Sequence, residues 1–183
     1  MRPISSNVIN ALQRFFRCRG DVAVTYNHLD YKEKHQQIPL HLISNLLKQL
    51  IQRRTAPLEN VRSMYQRHSQ PTLEDVIECL NLDISSCSRV FIVVDGLDEL
   101  SDEDGTRSVF LKAIQSLTGP VSLMVTSRDL PSIVPHFENA RHLTIYADDN
   151  DVRSYVHSRI PVWYPKDLGD MVVDRVTSST AGM

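Results

Sequence analysis

The stretch Val90 to Leu100, VFIVVDGLDEL, leads from an unbroken apolar run into three carboxylates, Asp95, Asp98 and Glu99. Such a run, bounded by Arg89 and Asp95, reads as a strand buried on both faces of a parallel sheet, with Asp95 at its tip. A carboxylate in that place can hold Mg²⁺ through water. A second one three or four residues on, Asp98 or Glu99, can orient or deprotonate a water attacking a γ-phosphate. This is the arrangement of a Walker B strand, and Gly96 permits the tight backbone path it needs. The plainer alternative is a buried strand followed by an ordinary acidic loop, because Asp102, Glu103 and Asp104 come close behind.

A second tip repeats the logic. In Leu123 to Arg128, LMVTSR, an apolar strand ends in polar residues and an arginine, which beside Asp95 could sense a γ-phosphate. Taken alone, Arg128 reads as a surface residue. The other candidates are weaker. The seven histidines include no HxxxH or HExxH pair, no GxSxG is present, and Cys79 falls on an apolar helix face as a small hydrophobe. Asn27 and His28, which follow the apolar stretch 21–26, have no functional account in the sequence.

These tips need elements to hold them. Apolar residues at spacings of three and four predict helices over 5–16, with Val8, Ile9, Leu12, Phe15 and Phe16, and over 38–52, with Leu40, Ile43, Leu46, Leu47, Leu50 and Ile51. Residues 21–26, DVAVTY, predict a strand. A helix is expected from Pro57 to Arg67, and another after Thr72, the candidate cap, with Asp75 three residues on. The second half runs in the order strand 90–94, helix 103–117, strand 121–127, strand 141–146 and helix 148–160, and a last helix begins near Asp167. Trp163 stands between two prolines and is expected to pack a linker. Alternating strands and helices imply a three-layer α/β architecture with ligands at the carboxyl ends of the strands.

Composition narrows the partners. The 183 residues carry a net charge of -2, which offers no basic surface for nucleic acid or an acidic membrane. The charge is uneven: residues 1–89 hold 12 basic and 8 acidic side chains, and residues 90–183 hold 8 and 14, so a metal belongs in the second half. Three cysteines without a CxxC pair indicate neither a disulfide framework nor a zinc knuckle. With no apolar segment of membrane-spanning length and no cleavable leader, a soluble cytoplasmic protein is expected.

VFIVVDGLDEL, LMVTSRDLPSI and the helix ADDNDVRSYVHSRI together resemble the NACHT and nephrocystin-type N-terminal NTPase domains of large fungal proteins that carry ankyrin or WD repeats. TYNHLDYKEKHQQ, HLISNLLKQLI and MYQRHSQPTLEDV resemble that family's second strand and the helices after it, so the resemblance covers nearly the whole chain. These domains belong to the signal-transducing ATPases with numerous domains, which exchange ADP for ATP and then oligomerise. The resemblance implies ATP and Mg²⁺ as cofactors, Asp95 on the metal, Asp98 and Glu99 near the attacking water, and Arg128 as the sensor arginine that meets the nucleotide.

The family opens with a strand and a GxxxxGK[ST] loop whose backbone N–H groups and lysine wrap the phosphates. None of the six glycines, Gly20, Gly96, Gly105, Gly119, Gly169 and Gly182, starts that pattern. ISSNVINALQRFF resembles the helix that follows the loop, and the chain stops within a helix at RVTSSTAGM, so truncation at both ends is expected. The fold expected is therefore α/β, a three-layer P-loop NTPase-like parallel sheet lacking its first strand and phosphate loop. Residues 1–160 form its core, and 161–183 form a linker and the start of a helical region. In the family the missing strand lies between those at 121–127 and 141–146, which must then close on each other or leave a gap. The function expected is a fragment of a nucleotide-dependent switch that neither binds nor hydrolyses ATP by itself; the alternative is a non-catalytic interaction or scaffold domain. Expected partners are further copies or other segments of a longer protein.

Overall fold

The computed structural model describes residues 4–180 except 34–35, 54–58, 67–69, 146–147 and 162–163. Contacts divide the chain into two compact units, Met1–Glu138 and Asn139–Met183.

The first unit contains a parallel sheet of three strands, β1 (Val22–His28), β2 (Arg89–Asp95) and β3 (Val121–Val125), in that order. In register, His28 stands beside Asp95, and Val94 beside Val125, so the carboxyl ends of the strands lie together. The apolar VFIVV run takes the middle place, where a strand is covered on both faces and both edges: Val90, Ile92, Val93 and Val94 are all buried. The chain is thus an α/β protein with a small, open, all-parallel sheet.

Side chains alternate across the sheet and create two unequal faces. Val90, Ile92 and Val94 pack with helices α2 (Pro39–Ile51), α4 (Leu73–Ser85) and α5 (Thr106–Gln115), through Ile43, Leu46, Leu50, Leu80, Ile84 and Phe110. Phe91 points the other way and stacks on Phe16, just after helix α1 (Ile4–Phe15), with ring centroids 5.3 Å apart. The main core therefore lies under α2, α4 and α5, and α1 covers the opposite face.

Local chemistry explains the helix starts. Pro39 occupies the first turn of α2, where its missing N–H costs nothing. Thr72 caps α4 in a capping box, its hydroxyl accepting from Asp75 N–H while the Asp75 carboxylate accepts from Thr72 N–H. Helix α3 (Glu59–Gln66) lies between them; Pro57, expected to open it, is outside the described residues.

The second unit holds α6 (Asp149–Arg159) and α7 (Lys166–Thr180), which pack together and share an ion pair of Arg153 with Asp174 at 2.8 Å. The expected boundary at 160/161 falls inside this unit, between its two helices. Trp163 is outside the described residues.

One expected strand does not form. Residues 141–145 belong to no ladder, and Tyr146 is outside the described residues. The alternation that suggested a strand is real in sequence, but Leu143 and Ile145 are 82% and 56% exposed, and a strand without pairing or burial has nothing to hold it. Strand β3 is also shorter than expected, ending at Val125, and it is only half-buried, with Leu123 exposed. Among the described residues no helix is long and apolar enough to cross a membrane.

Candidate functional site

The three carboxylates of DGLDE and the polar residues after β3 converge at the carboxyl ends of β2 and β3. Thr126 joins them. Its N–H donates to Val94 O and its carbonyl accepts from Leu97 N–H, both at 2.9 Å. Its hydroxyl accepts from Gly96 N–H at 3.0 Å and donates to Asp95 Oδ1 at 2.6 Å. Gly96 makes this possible, since its φ of 77° lies in the left-handed region. A Cβ there would also press on Leu29 O and Glu99 Cγ, each 3.3 Å away.

Asp95 has a second partner across the sheet. His28, its register neighbour on β1, places Nδ1 3.1 Å from Asp95 Oδ2. Burial pushes the Asp95 carboxyl up, but hydrogen bonds from Thr126 and His28 outweigh it, and the net shift is below the ordinary carboxylate value. Ser5, fully buried in the first turn of α1, acts in the same downward direction, although its Oγ meets no partner at hydrogen-bonding geometry. An ionised carboxylate only accepts, so Nδ1 of His28 carries the proton in this contact.

Asp98 and Glu99 sit in a single 3₁₀ turn, Leu97–Glu99, anchored by the buried Leu97. The Asp98 side chain is only 6% exposed and is held by Arg128 twice: from the backbone N–H to Oδ1 at 3.2 Å, and from Nε to Oδ2 at 2.5 Å. The hydrogen bond with Asp98, then its charge, hold the Arg128 guanidinium above its ordinary value. The Glu99 carboxylate has no hydrogen-bond or ion-pair partner among the described residues. Asp95, Asp98, Glu99 and Arg128 are thus brought together, with Arg128 on Asp98 rather than on Asp95.

The residues present do not fit a metal at Asp95 as they stand. Among the described residues, no three His, Cys, Asp or Glu side chains are arranged to hold a cation. Both Asp95 oxygens already accept from protein donors. A groove of about 590 Å³ lies along α4, lined by Glu74, Ile77, Glu78, Leu82 and Thr118. None of those residues belongs to the strand tips, where the carboxylates converge, so the tips remain the candidate site.

Two contributors were not apparent from sequence. Arg107, in the first turn of α5, is 6% exposed and donates from Nε and Nη2 to Leu100 O, at 3.1 and 2.8 Å. Its Nη1 donates to Ser132 Oγ at 3.0 Å and lies 3.3 Å from Asp102 Oδ2, so one side chain ties the loop after β2 to the loop after β3. A signal existed: Arg107, Phe110, Leu111 and Ile114 fall at i, i+3, i+4 and i+7, which places the arginine on the buried face. The second contributor is Asn27. It donates to Leu42 O at 3.1 Å and accepts from Asn45 at 2.7 Å, docking the end of β1 onto α2.

The family model described as "Nephrocystin 3, N-terminal" matches residues 3–128, a span that takes in all three strands and ends on Arg128. A search of the curated proteins found no match. With more than half of its length matched, and the matched part carrying the acidic strand tip, this chain belongs to the nephrocystin 3 N-terminal family.

Proposed function

We propose that this domain is a NACHT-like module of a nucleotide-dependent signalling switch, which keeps the metal-side half of a nucleotide site and, as these 183 residues, does not bind or hydrolyse ATP. The observation that supports this is the strand tip: a carboxylate at the end of the middle strand, two more within the next turn, and an arginine from the neighbouring strand end on one of them. In this reading Asp95 is the metal residue, Asp98 and Glu99 serve the attacking water, and Arg128 senses the nucleotide. Phosphate gripping is the missing half, because no GxxxxGK[ST] occurs in the chain. Mg²⁺ at such sites is held largely through substrate phosphates, so carboxylates alone give little affinity. Calorimetry of the chain with ATP and Mg²⁺ is expected to show no binding in the range of about 1 to 10 µM, equivalent to roughly -7 to -8 kcal/mol. Magnesium-dependent binding in that range would overturn the reading.

The roles separate when a phosphate loop is supplied in frame before α1. Asp95→Ala is then expected to weaken magnesium-dependent ATP binding, while Glu99→Gln leaves binding intact and slows hydrolysis. Equal loss of binding in both variants would contradict the assignment. A second reading, a non-catalytic interaction or scaffold domain, is favoured by one feature: the carboxylates of Asp95 and Asp98 are both held by side chains of the protein itself. Retained ATP binding after loop addition would count against it.

A further inference from the structure

The groove along α4 offers a surface that is apolar and acidic. Its neutral polar side chains are already used within the chain: Asn81 Oδ1 accepts from the Thr118 N–H at 2.8 Å and from its hydroxyl at 3.3 Å, and Ser85 Oγ donates to Asn81 O at 2.8 Å. Ser116 Oγ likewise donates to Ala113 O at 2.8 Å. What the groove leaves free is an apolar lining, Ile77 and the 42% exposed Leu82, and two carboxylates, Glu74 and Glu78. These carboxylates stand one helical turn apart, and among the described residues neither has an ion pair or a hydrogen-bond partner. A like-charge pair at that spacing weakens its own helix, and a cation alongside relieves it.

The complement of that surface stands on the other side of the sheet. Phe15, the last residue of α1, is 81% exposed. Its ring meets that of Phe16 edge-on, with centroids 4.9 Å apart, and Phe16 stacks on Phe91 of β2, so the exposed ring has a firm base. Arg14 and Arg17 flank it, both exposed and, among the described residues, without a side-chain partner. Arg17 N–H donates to Arg14 O at 3.4 Å, which continues the helical turn and sets the two arginines at one-turn spacing. An exposed aromatic between two arginines thus matches an apolar groove with two glutamates in chemistry, sign and spacing. Because α1 and α4 lie on opposite faces of the sheet, the two surfaces of one copy cannot meet. We propose that Phe15 of one copy docks in the α4 groove of a second copy, with Arg14 and Arg17 beside Glu74 and Glu78, so that chains add head to tail. The contact is heterologous, since the two patches differ, and it uses neither the strand tips nor a nucleotide. One aromatic anchor and two surface ion pairs make an interface well below the size of stable complexes, so association is expected on the order of 100 µM.

The test is sedimentation equilibrium of the full chain from about 10 µM to 1 mM, a range that brackets this value. The mean mass of the parent is expected to climb with concentration past that of a dimer, and to fall back in about 0.5 M NaCl, where exposed charges are screened. Phe15→Gln removes the apolar anchor and is expected to weaken association by about tenfold or more. Glu74→Lys combined with Glu78→Lys sets like charges against the arginines and is expected to leave a monomer. All three positions are exposed, so the fold is not at stake in either variant. An equimolar mixture of the two variants is expected to form a dimer and go no further, because each keeps the half that the other has lost; reduced stability or general stickiness does not produce that result. A parent that is monomeric at about 1 mM would overturn the proposal and leave the groove to a different basic partner. A parent that stops at a dimer would also overturn it, by showing a symmetric contact. So would unchanged association of Phe15→Gln, or a mixture that stays monomeric.

Discussion

Arg107→Met is expected to lower the unfolding free energy by about 3 kcal/mol, the size of effect seen when a buried, hydrogen-bonded charge network loses a partner. Methionine nearly preserves side-chain volume and packing, so the loss isolates the polar contacts. Two donors leave the Leu100 carbonyl, on a residue that is itself 2% exposed, and one donor leaves Ser132 Oγ. An orphaned buried acceptor costs about 1 to 3 kcal/mol, and the charge-assisted bonds to it are stronger than neutral ones. For a unit of this size the melting temperature should drop by roughly 6 to 12 °C. Ser132→Ala, which removes only one of the contacts, should cost about 1 kcal/mol. Urea unfolding of the three proteins checks the order. A change below about 1 kcal/mol for Arg107→Met would mean that water replaces the guanidinium at no cost, and that the two loops are held by something else.

The same residue shows where sequence reading reached and where it stopped. An arginine on an amphipathic helix is normally placed on the solvent side, and only its i, i+3, i+4, i+7 relation to Phe110, Leu111 and Ile114 argued otherwise. What it binds could not be read, because Leu100 and Ser132 meet it through tertiary contacts of loops. The elements themselves were legible wherever burial and periodicity agree. VFIVV is apolar because it is the middle strand, and Thr72 with Asp75 forms the capping box that their spacing suggested. The residues 141–145 failed for the opposite reason: their alternation describes a strand in need of a neighbour, and pairing is not a local property. Asn27 and His28, without a role in the sequence, gained one from the register that sets them beside α2 and Asp95.

The acidic tip was legible as a group but not in its internal pairing. The spacing of DGLDE places three carboxylates in one turn beyond a strand end, and the neighbouring strand brings Arg128 to them. That Arg128 chooses Asp98 follows from the 3₁₀ turn, which buries Leu97 and swings Asp98 toward the loop after β3. The sequence contained no sign that a turn of this kind, rather than a longer loop, would follow Gly96.

The two edges of the sheet should differ in backbone amide exchange by a factor of roughly 10³, the ratio expected when one amide needs a substantial opening and the other needs almost none. On β1 several outward-facing groups are covered. Gln49 takes both the N–H and the carbonyl of Tyr26, and Arg53 reaches the carbonyls of Gly20 and Val22. Asn45 and Gln49 on α2 and Arg53 just past its end recur every fourth residue, so one polar stripe serves part of this edge as a neighbour. On β3 the parity of the ladder, set by Thr126 N–H donating to Val94 O, turns the N–H and carbonyl groups of Leu123 and Val125 away from β2. Neither has a backbone partner on that side among the described residues, and Leu123 is 39% exposed. The Tyr26 amide should therefore exchange only with an opening of α2 against β1, and the Leu123 amide with the solvent directly. Gln49→Ala provides the internal check, since it should bring Tyr26 down toward Leu123 while leaving Leu123 unchanged. Comparable protection of Leu123 and Tyr26 in dilute solution would show that the outer edge of β3 is covered, and would overturn the asymmetry argued from these bonds.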